Sequence, residues 1–156
     1  MHLAQLNIGR LLAPIDDPQI ADFVDNLEPI NALAERSPGY VWRLQDEHGD
    51  ATSIKAFDDD LMILNLTVWE SIEALADFVF RTGHLEFLRR RRSWFEGAVE
   101  PTTCLWWIPE GTLPEVSDAV ALEEAAMAVR LTPVELGSQQ ISAPAPGSGD
   151  VVASAA

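Results

Sequence analysis

Along MILNLTVW, residues 62–69, Ile63, Asn65, Thr67 and Trp69 alternate with Met62, Leu64, Leu66 and Val68. Successive side chains of a strand point to opposite faces, so both faces of this segment carry apolar residues. That predicts a central strand, covered on one side by a helix layer and on the other by something else, such as a second subunit's sheet. Ser71 then stands where an N-cap is needed, and Leu75, Phe78 and Val79 turn inward on a helix predicted over 72–80. Gly83 interrupts the pattern, and a second helical segment begins at His84. At about 100° per residue, His84, Phe87, Leu88, Arg91 and Phe95 share one face of it, while Arg89 and Arg90 point elsewhere.

The flanking segments complete the pattern. Residues 2–8 alternate, with Leu3, Gln5 and Asn7 on one face and His2, Ala4, Leu6 and Ile8 on the other, and read as a first strand. After a turn bounded by Pro14 and Pro18, Ile20, Phe23, Val24, Leu27, Ile30 and Ala34 fall at helical spacing. Pro29 removes a donor from that helix and predicts a kink near 25–29, and Ser37, Pro38 and Gly39 end it. Residues 40–44 form a short second strand carrying Trp42, followed by an acidic hairpin connection over 45–60 with a few extended residues around 53–57. Residues 103–108, with Trp106 and Trp107, are a fourth strand, and 114–130 a last helix with Val116, Val120, Ala121 and Met127 among its apolar positions.

The order strand, helix, strand, strand, helix, strand predicts a ferredoxin-like α+β sandwich. Its four-stranded antiparallel sheet would carry helices on one face and leave the other open, and an open apolar face calls for a homodimer. From Gly137 the composition turns to Ser, Ala, Pro and Gly. The expected organisation is one domain over 1–136 and a flexible tail over 137–156, because such a tail buries too little to offset its ordering entropy.

Composition narrows the class. The 156 residues are 47% hydrophobic and 22% charged, the balance of a folded globular chain. No apolar run reaches the roughly 20 residues of a membrane helix, and the N-terminus lacks the order of a secretion signal, so the expectation is a cytoplasmic protein without membrane contact. A formal net charge of −15 disfavours a nucleic-acid partner, and the isolated run Arg89 to Arg92 is too small a footprint to reverse that. Cys104 is the single cysteine, which excludes an intrachain disulfide; its apolar neighbours make it a buried small side chain rather than a nucleophile. Asp58, Asp59 and Asp60 lack the spacing and glycine of a calcium loop and read as a solvated turn; no metal site is expected.

Candidate chemistry centres on His84. A neutral imidazole can exchange a proton near pH 7, and a helix start beside a break can open onto a pocket. The competing reading is a helix-start histidine satisfied by local bonds. Arg91, on the same face, can clamp a carboxylate or stabilise an enolate or oxyanion, or else pair with Glu35, Glu96 or another acid. Trp69 can stack on a flat ligand or serve as core. Asn7, Asn65 and Thr67 are polar groups on strand faces that need partners if buried, a ligand among them.

Five pieces in order also resemble a known family: HLAQLN (2–7), NALAERSPGYVWRLQ (31–45), LTVWESIEALADFVFRTGH (66–84), RRRRSWF (89–95) and LWWIPEG (105–111). Together they resemble a bacterial domain-of-unknown-function family, number thirty-two ninety-one, a branch of the dimeric α+β barrel superfamily. The resemblance covers roughly 2–124 and includes the histidine of the TGH motif. Family members usually end in Gly-Pro-Thr-Pro and an aromatic strand, whereas this chain reads RLTPVELG over 130–137. The resemblance implies a small-molecule enzyme, a cofactor-independent monooxygenase or a cyclase or isomerase, working on an aromatic or polyketide-like intermediate. In that reading His84 is the general acid or base, Arg91 stabilises negative charge, Trp69, Phe87 and Trp106 form apolar walls, and no cofactor is needed. The haem-degrading branch of the superfamily implies an alternative in which Asn7, Trp69 and His84 match a haem-holding set by type and order, with His84 as axial ligand. A third reading is a non-catalytic ligand-binding or assembly module.

Overall fold

The computed structural model describes residues 1–97, 103–128 and 151–154. Strands β1 (His2–Arg10), β2 (Tyr40–Arg43), β3 (Met62–Trp69) and β4 (Thr103–Ile108) are joined by helices α1 (Ala21–Glu35), α2 (Ile72–Arg81) and the short α3 (His84–Arg89), and α4 (Val116–Ala128) follows β4. The four strands lie in the order β2-β3-β1-β4, every pairing antiparallel, which is the ferredoxin-like α+β sheet that the element order predicts. Ser71 caps α2 as expected: its backbone is extended, and its hydroxyl accepts the Ala74 N–H at 3.2 Å. α1 runs as one helix through Pro29, where the kink is expected.

Register assigns the faces. Leu3 lies opposite Trp69 and Asn7 opposite Asn65 across β1 and β3, and Asn7 lies opposite Thr103 across β1 and β4. The odd-numbered residues of β1 therefore face α1, α2 and α3. One core on that side joins Leu3, Ala34, Trp69, Leu75 and Phe78, and a neighbouring one joins Leu11, Ile20, Phe23 and Trp94.

The opposite face differs from expectation. Leu6, Leu66, Val68 and Cys104 are buried there with Ala119 of α4, and Val116, Leu122 and Phe57 pack against them. Val116, Ala119 and Leu122 recur every three residues along α4, so that helix has a stripe to lay on the sheet. Helices therefore cover both faces, and the face that the sequence leaves open is partly filled by the chain itself.

Two further segments depart from the sequence reading. Val151–Ser154, expected in a flexible tail, pairs antiparallel with β4 as a fifth strand, β5, with Cys104 opposite Ala153. Residues 129–150 and 155–156 lie outside the described residues, as do most of the expected tail and the RLTPVELG segment. Residues 45–60 contain no strand and form a loop built on two aspartates. Asp46 Oδ1 accepts the His48 N–H at 2.7 Å, and Asp50 Oδ1 accepts both the N–H and the hydroxyl of Thr52, at 2.8 and 2.6 Å. Arg43, 8% exposed, ties this loop to α1 by donating to the Gly49 carbonyl at 2.8 Å and to Glu35 at 2.9 Å.

Candidate functional site

A row of polar residues crosses the helix-facing side of the sheet. Thr67 donates to Gln5 Oε1 at 3.0 Å and accepts the Trp69 indole N–H at 2.9 Å, so these three groups satisfy one another. One register step along, Thr103 donates to Asn7 Oδ1 at 3.3 Å. β2 ends at Arg43, opposite Thr67, which leaves Asn65 exposed at the unpaired edge of β3.

At that end of the sheet a cavity of about 150 Å³ opens between sheet and helices. Asn7, Ile63 and Asn65 form its floor, and Phe23, Leu27, Ile30 and Asn31 of α1 form one wall. His84, Phe87, Leu88, Arg91 and Phe95 form another, and Asp50, Ala51 and Thr52 of the built loop close a third side. Gly9 permits this shape: a Cβ there would sit 2.7 Å from Phe95 Cδ1, so only glycine lets that ring lie directly on β1.

His84 reaches the cavity through a local break whose author is Thr82, not Gly83. Thr82 is extended (φ −121°, ψ −176°) and ends α2, whereas Gly83 is ordinary helical backbone (φ −60°, ψ −15°). The Thr82 hydroxyl donates to the Phe78 carbonyl at 2.5 Å and accepts the His84 N–H at 3.2 Å, coupling the end of one helix to the start of the next. A Cβ on Gly83 would meet only Leu33 Cδ2, at 3.7 Å. The glycine break that the sequence suggests is therefore a threonine cap.

The His84 ring lies 4.7 Å from the Phe78 centroid and 6.1 Å from that of Phe87. Burial among these rings lowers its pKa from 6.5, because a low-dielectric surround penalises the imidazolium; the Val79 backbone acts the other way without reversing it. Nδ1 is buried and makes no hydrogen bond among the described residues, and the residue lines the cavity. At neutral pH the group is a neutral imidazole.

Arg91 follows the end of α3 in a 3-10 turn, Arg91–Ser93. Its Nη2 donates to the Ile8 carbonyl at 3.5 Å, and its guanidinium carbon stands 5.7 Å from the Phe95 centroid. Desolvation lowers its pKa too, yet a guanidinium stays charged at any physiological pH. The two acids named as alternative partners are engaged elsewhere, Glu35 with Arg43 at 2.9 Å and Glu96 with Arg10. Arg89 pairs with Glu86, and Arg90 pairs with Asp22 and lies 5.0 Å over Trp94. Of the four arginines, Arg91 lines the cavity.

The fold thus brings together Asn7, Asn65, His84, Phe87 and Arg91 and leaves out three other candidates. Trp69 is 0% exposed, stacks on Phe78 at 5.0 Å and spends its N–H on Thr67, so both it and Thr67 belong to the core. Trp106, 7% exposed, points to the opposite face beside Ala119, because it shares register with Ala4 rather than with Leu3.

Residues the sequence reading passed over include Asn31, Asp50 and Thr52. Asn31 had a signal: it is four residues after Leu27 and eight after Phe23, a polar position on an apolar stripe. Among the described residues no group of three or more His, Cys, Asp or Glu is placed to hold a metal ion. Asp59 accepts from Arg10 at 2.7 Å, which accounts for part of the acidic turn. Of the haem-holding set that the resemblance implies, Asn7 and His84 line the cavity, whereas Trp69 is 0% exposed and not among its lining residues.

Among protein families, one described as "Domain of unknown function (DUF3291)" matches residues 2–126. No curated protein matches the chain. Two crystal structures of SnoaB, a cofactor-independent oxygenase from Streptomyces nogalater, are similar at 19% and 20% identity with TM-scores of 0.48 and 0.47, covering 73% of this chain and 98% of theirs. PA3566 from Pseudomonas aeruginosa is similar at 17% identity and a TM-score of 0.44, over 67% of this chain and 88% of its own.

Proposed function

The chain belongs to the family described as domain of unknown function DUF3291, and from that premise we propose that it is an enzyme acting on a small aromatic or polyketide-like molecule. The observation that carries this reading is the placement of a neutral histidine and a charged arginine on one wall of an otherwise largely apolar cavity. His84 removes a proton from an acidic C–H or O–H of the substrate. Arg91 stabilises the resulting anion, an attraction strengthened where water is scarce. Asn7 and Asn65 orient polar groups of the substrate from the floor, and Phe87 packs against its apolar part. The anion either adds to dioxygen, giving a peroxide that takes up the proton and loses water to leave a carbonyl, so that one oxygen atom enters the product and the other leaves as water, or it closes onto a carbonyl of the same molecule, which is cyclisation, or takes the proton back at another atom, which is isomerisation.

The test is a panel of hydroxylated aromatic and polyketide-like compounds, followed by mass spectrometry of products and by oxygen uptake. Uptake with one oxygen atom incorporated supports oxygenation, and an isomeric product under anaerobic conditions supports cyclisation or isomerisation. Removing a general base costs about 10²–10⁴ in rate, so His84→Ala lowers kcat by that order. Unchanged turnover in His84→Ala excludes this histidine as the base. Binding without any turnover identifies a non-catalytic module instead. A homodimer is part of the proposal, as the family resemblance implies, and native mass spectrometry reads it directly.

A further inference from the structure

One hydrogen bond on the sheet decides which end of an amide the cavity meets. We infer that Thr103 of β4 is a positioning residue for Asn7: its hydroxyl holds the Asn7 carboxamide by the oxygen, so that the N–H donors of Asn7 are offered to a carbonyl or enolate oxygen of the ligand. This rests on the reading of the cavity as a small-molecule site, though not on any particular reaction.

Three observations carry it. Register sets Asn65, Asn7 and Thr103 side by side in one row across β3, β1 and β4. Directly opposite residues have Cβ atoms about 4.5–5.5 Å apart, so Asn7, in the middle, has both neighbours within reach. Its Oδ1 accepts the Thr103 hydroxyl at 3.3 Å, and among the described residues no hydrogen bond joins it to Asn65.

The nitrogen end of the same amide is open. Among the described residues, Asn7 Nδ2 has no hydrogen-bond partner, yet the buried side-chain atoms in that condition are His2 Nδ1 and His84 Nδ1. Asn7 Nδ2 is therefore accessible, and the space that Asn7 lines is the cavity. Thr103 is not among the lining residues, so it reaches a ligand only through Asn7.

The neighbouring rung repeats the arrangement. Thr67, opposite Gln5, accepts the Trp69 indole N–H at 2.9 Å and donates to Gln5 Oε1 at 3.0 Å. A threonine thus holds a carboxamide of β1 by its oxygen on both rungs.

Orientation matters because a carboxamide turned end for end has nearly the same shape but presents lone pairs instead of donors. A donor already aimed at the oxygen where negative charge develops stabilises that charge without reorganising. His84 lines the same cavity, so the anion left by proton removal forms within the space that Asn7 serves.

The experiment is NMR of the full chain, reading the Asn7 side-chain amide protons alone and in titrations with 4-hydroxyacetophenone and with 4-isopropylphenol, which has a similar shape but no carbonyl. In the free protein, Overhauser effects from these protons are expected to be stronger to cavity-lining side chains than to the Thr103 methyl group. The ketone binds saturably and shifts them, whereas the isopropylphenol leaves them in place. Thr103→Val weakens the ketone about two- to tenfold, as loss of one neutral hydrogen bond does, and leaves the isopropylphenol unchanged. Thr103→Ser keeps the wild-type affinity, and in an Asn7→Ala background Thr103→Val has no further effect.

Amide protons turned toward Thr103, or a ketone that fails to bind or to shift them, overturn the inference without recourse to any variant. Equal weakening of both probes by Thr103→Val makes that residue merely structural and overturns it too. A ketone bound at Asn7 in a protein that turns over no compound refutes the enzyme reading and leaves this one standing. Turnover by a protein whose Asn7 oxygen faces the cavity does the reverse.

Discussion

His84 is defined by what surrounds it. Phe78 and Phe87 exclude water from its ring, and the resulting penalty on the charged form lowers its pKa from 6.5. Two consequences follow for pH. As a base it remains active below the range where an exposed histidine would already be protonated, so the acid limb of a rate profile falls below pH 6.5. For stability the sign is opposite to that of a paired histidine: above about pH 6.5 both folded and unfolded states are neutral here and the group contributes nothing. As pH drops below that value the unfolded state takes up the proton first, and the fold loses stability until the lowered native pKa is passed. Urea unfolding between pH 7 and pH 5 should show this loss, reduced in His84→Gln. Asp50 and Arg91 line the same cavity, and the comparison with His84→Gln isolates the contribution of the histidine. An unchanged slope in the variant assigns the pH dependence elsewhere.

At the scale of elements, the junction of α2 and α3 aims the histidine. Its hydrogen bonds run through Thr82, while Gly83 is conformationally ordinary and has room for a methyl group. Thr82→Val removes the cap and should destabilise the chain by about 1 kcal/mol, as loss of an N-cap hydroxyl does, while disturbing ligand-induced shifts at His84. Gly83→Ala should be neutral or stabilising by up to about 1 kcal/mol, because it restricts only the unfolded chain. Thermal melts of the two variants check this, and the opposite ranking restores the glycine as the residue that matters. Alternation and helical spacing made β3, α2 and β4 legible with bounds within a residue or two, because each pattern is local. The same spacing collected His84, Phe87, Leu88, Arg91 and Phe95, all of which line the cavity, although α3 stops at Arg89. Legibility ended where a side chain's use depended on a partner distant in sequence. Trp69 looks alike as a stacking platform or as core until Phe78 and Thr67 are seen against it.

On the scale of the whole molecule, the loop carrying Asp50 and Thr52 is fastened to α1 and β2 by Arg43. Glu35 is about half exposed, so this bridge is weaker than a fully buried ion pair. The larger cost of Arg43→Met is the Gly49 carbonyl left without its donor, about 1–3 kcal/mol for such a loss when buried. Hydrogen exchange across 46–53 should accelerate in that variant, with α2 and β4 unaffected. A uniform change along the chain would mean that Arg43 supports the fold generally rather than this wall of the cavity.

The sequence by itself determined the element order, the antiparallel ferredoxin-like sheet, and the face on which His84 and Arg91 fall together. Those follow from periodicities of two and 3.6 residues, which are properties of the local backbone. The tertiary structure decided that Trp69 and Thr67 are core, that Trp106 faces away, that α4 lies on the second sheet face, and that Asp50 and Asn31 complete the cavity. These depend on strand register and on where a long loop returns, and contacts between residues far apart in the chain leave no period in the sequence to read.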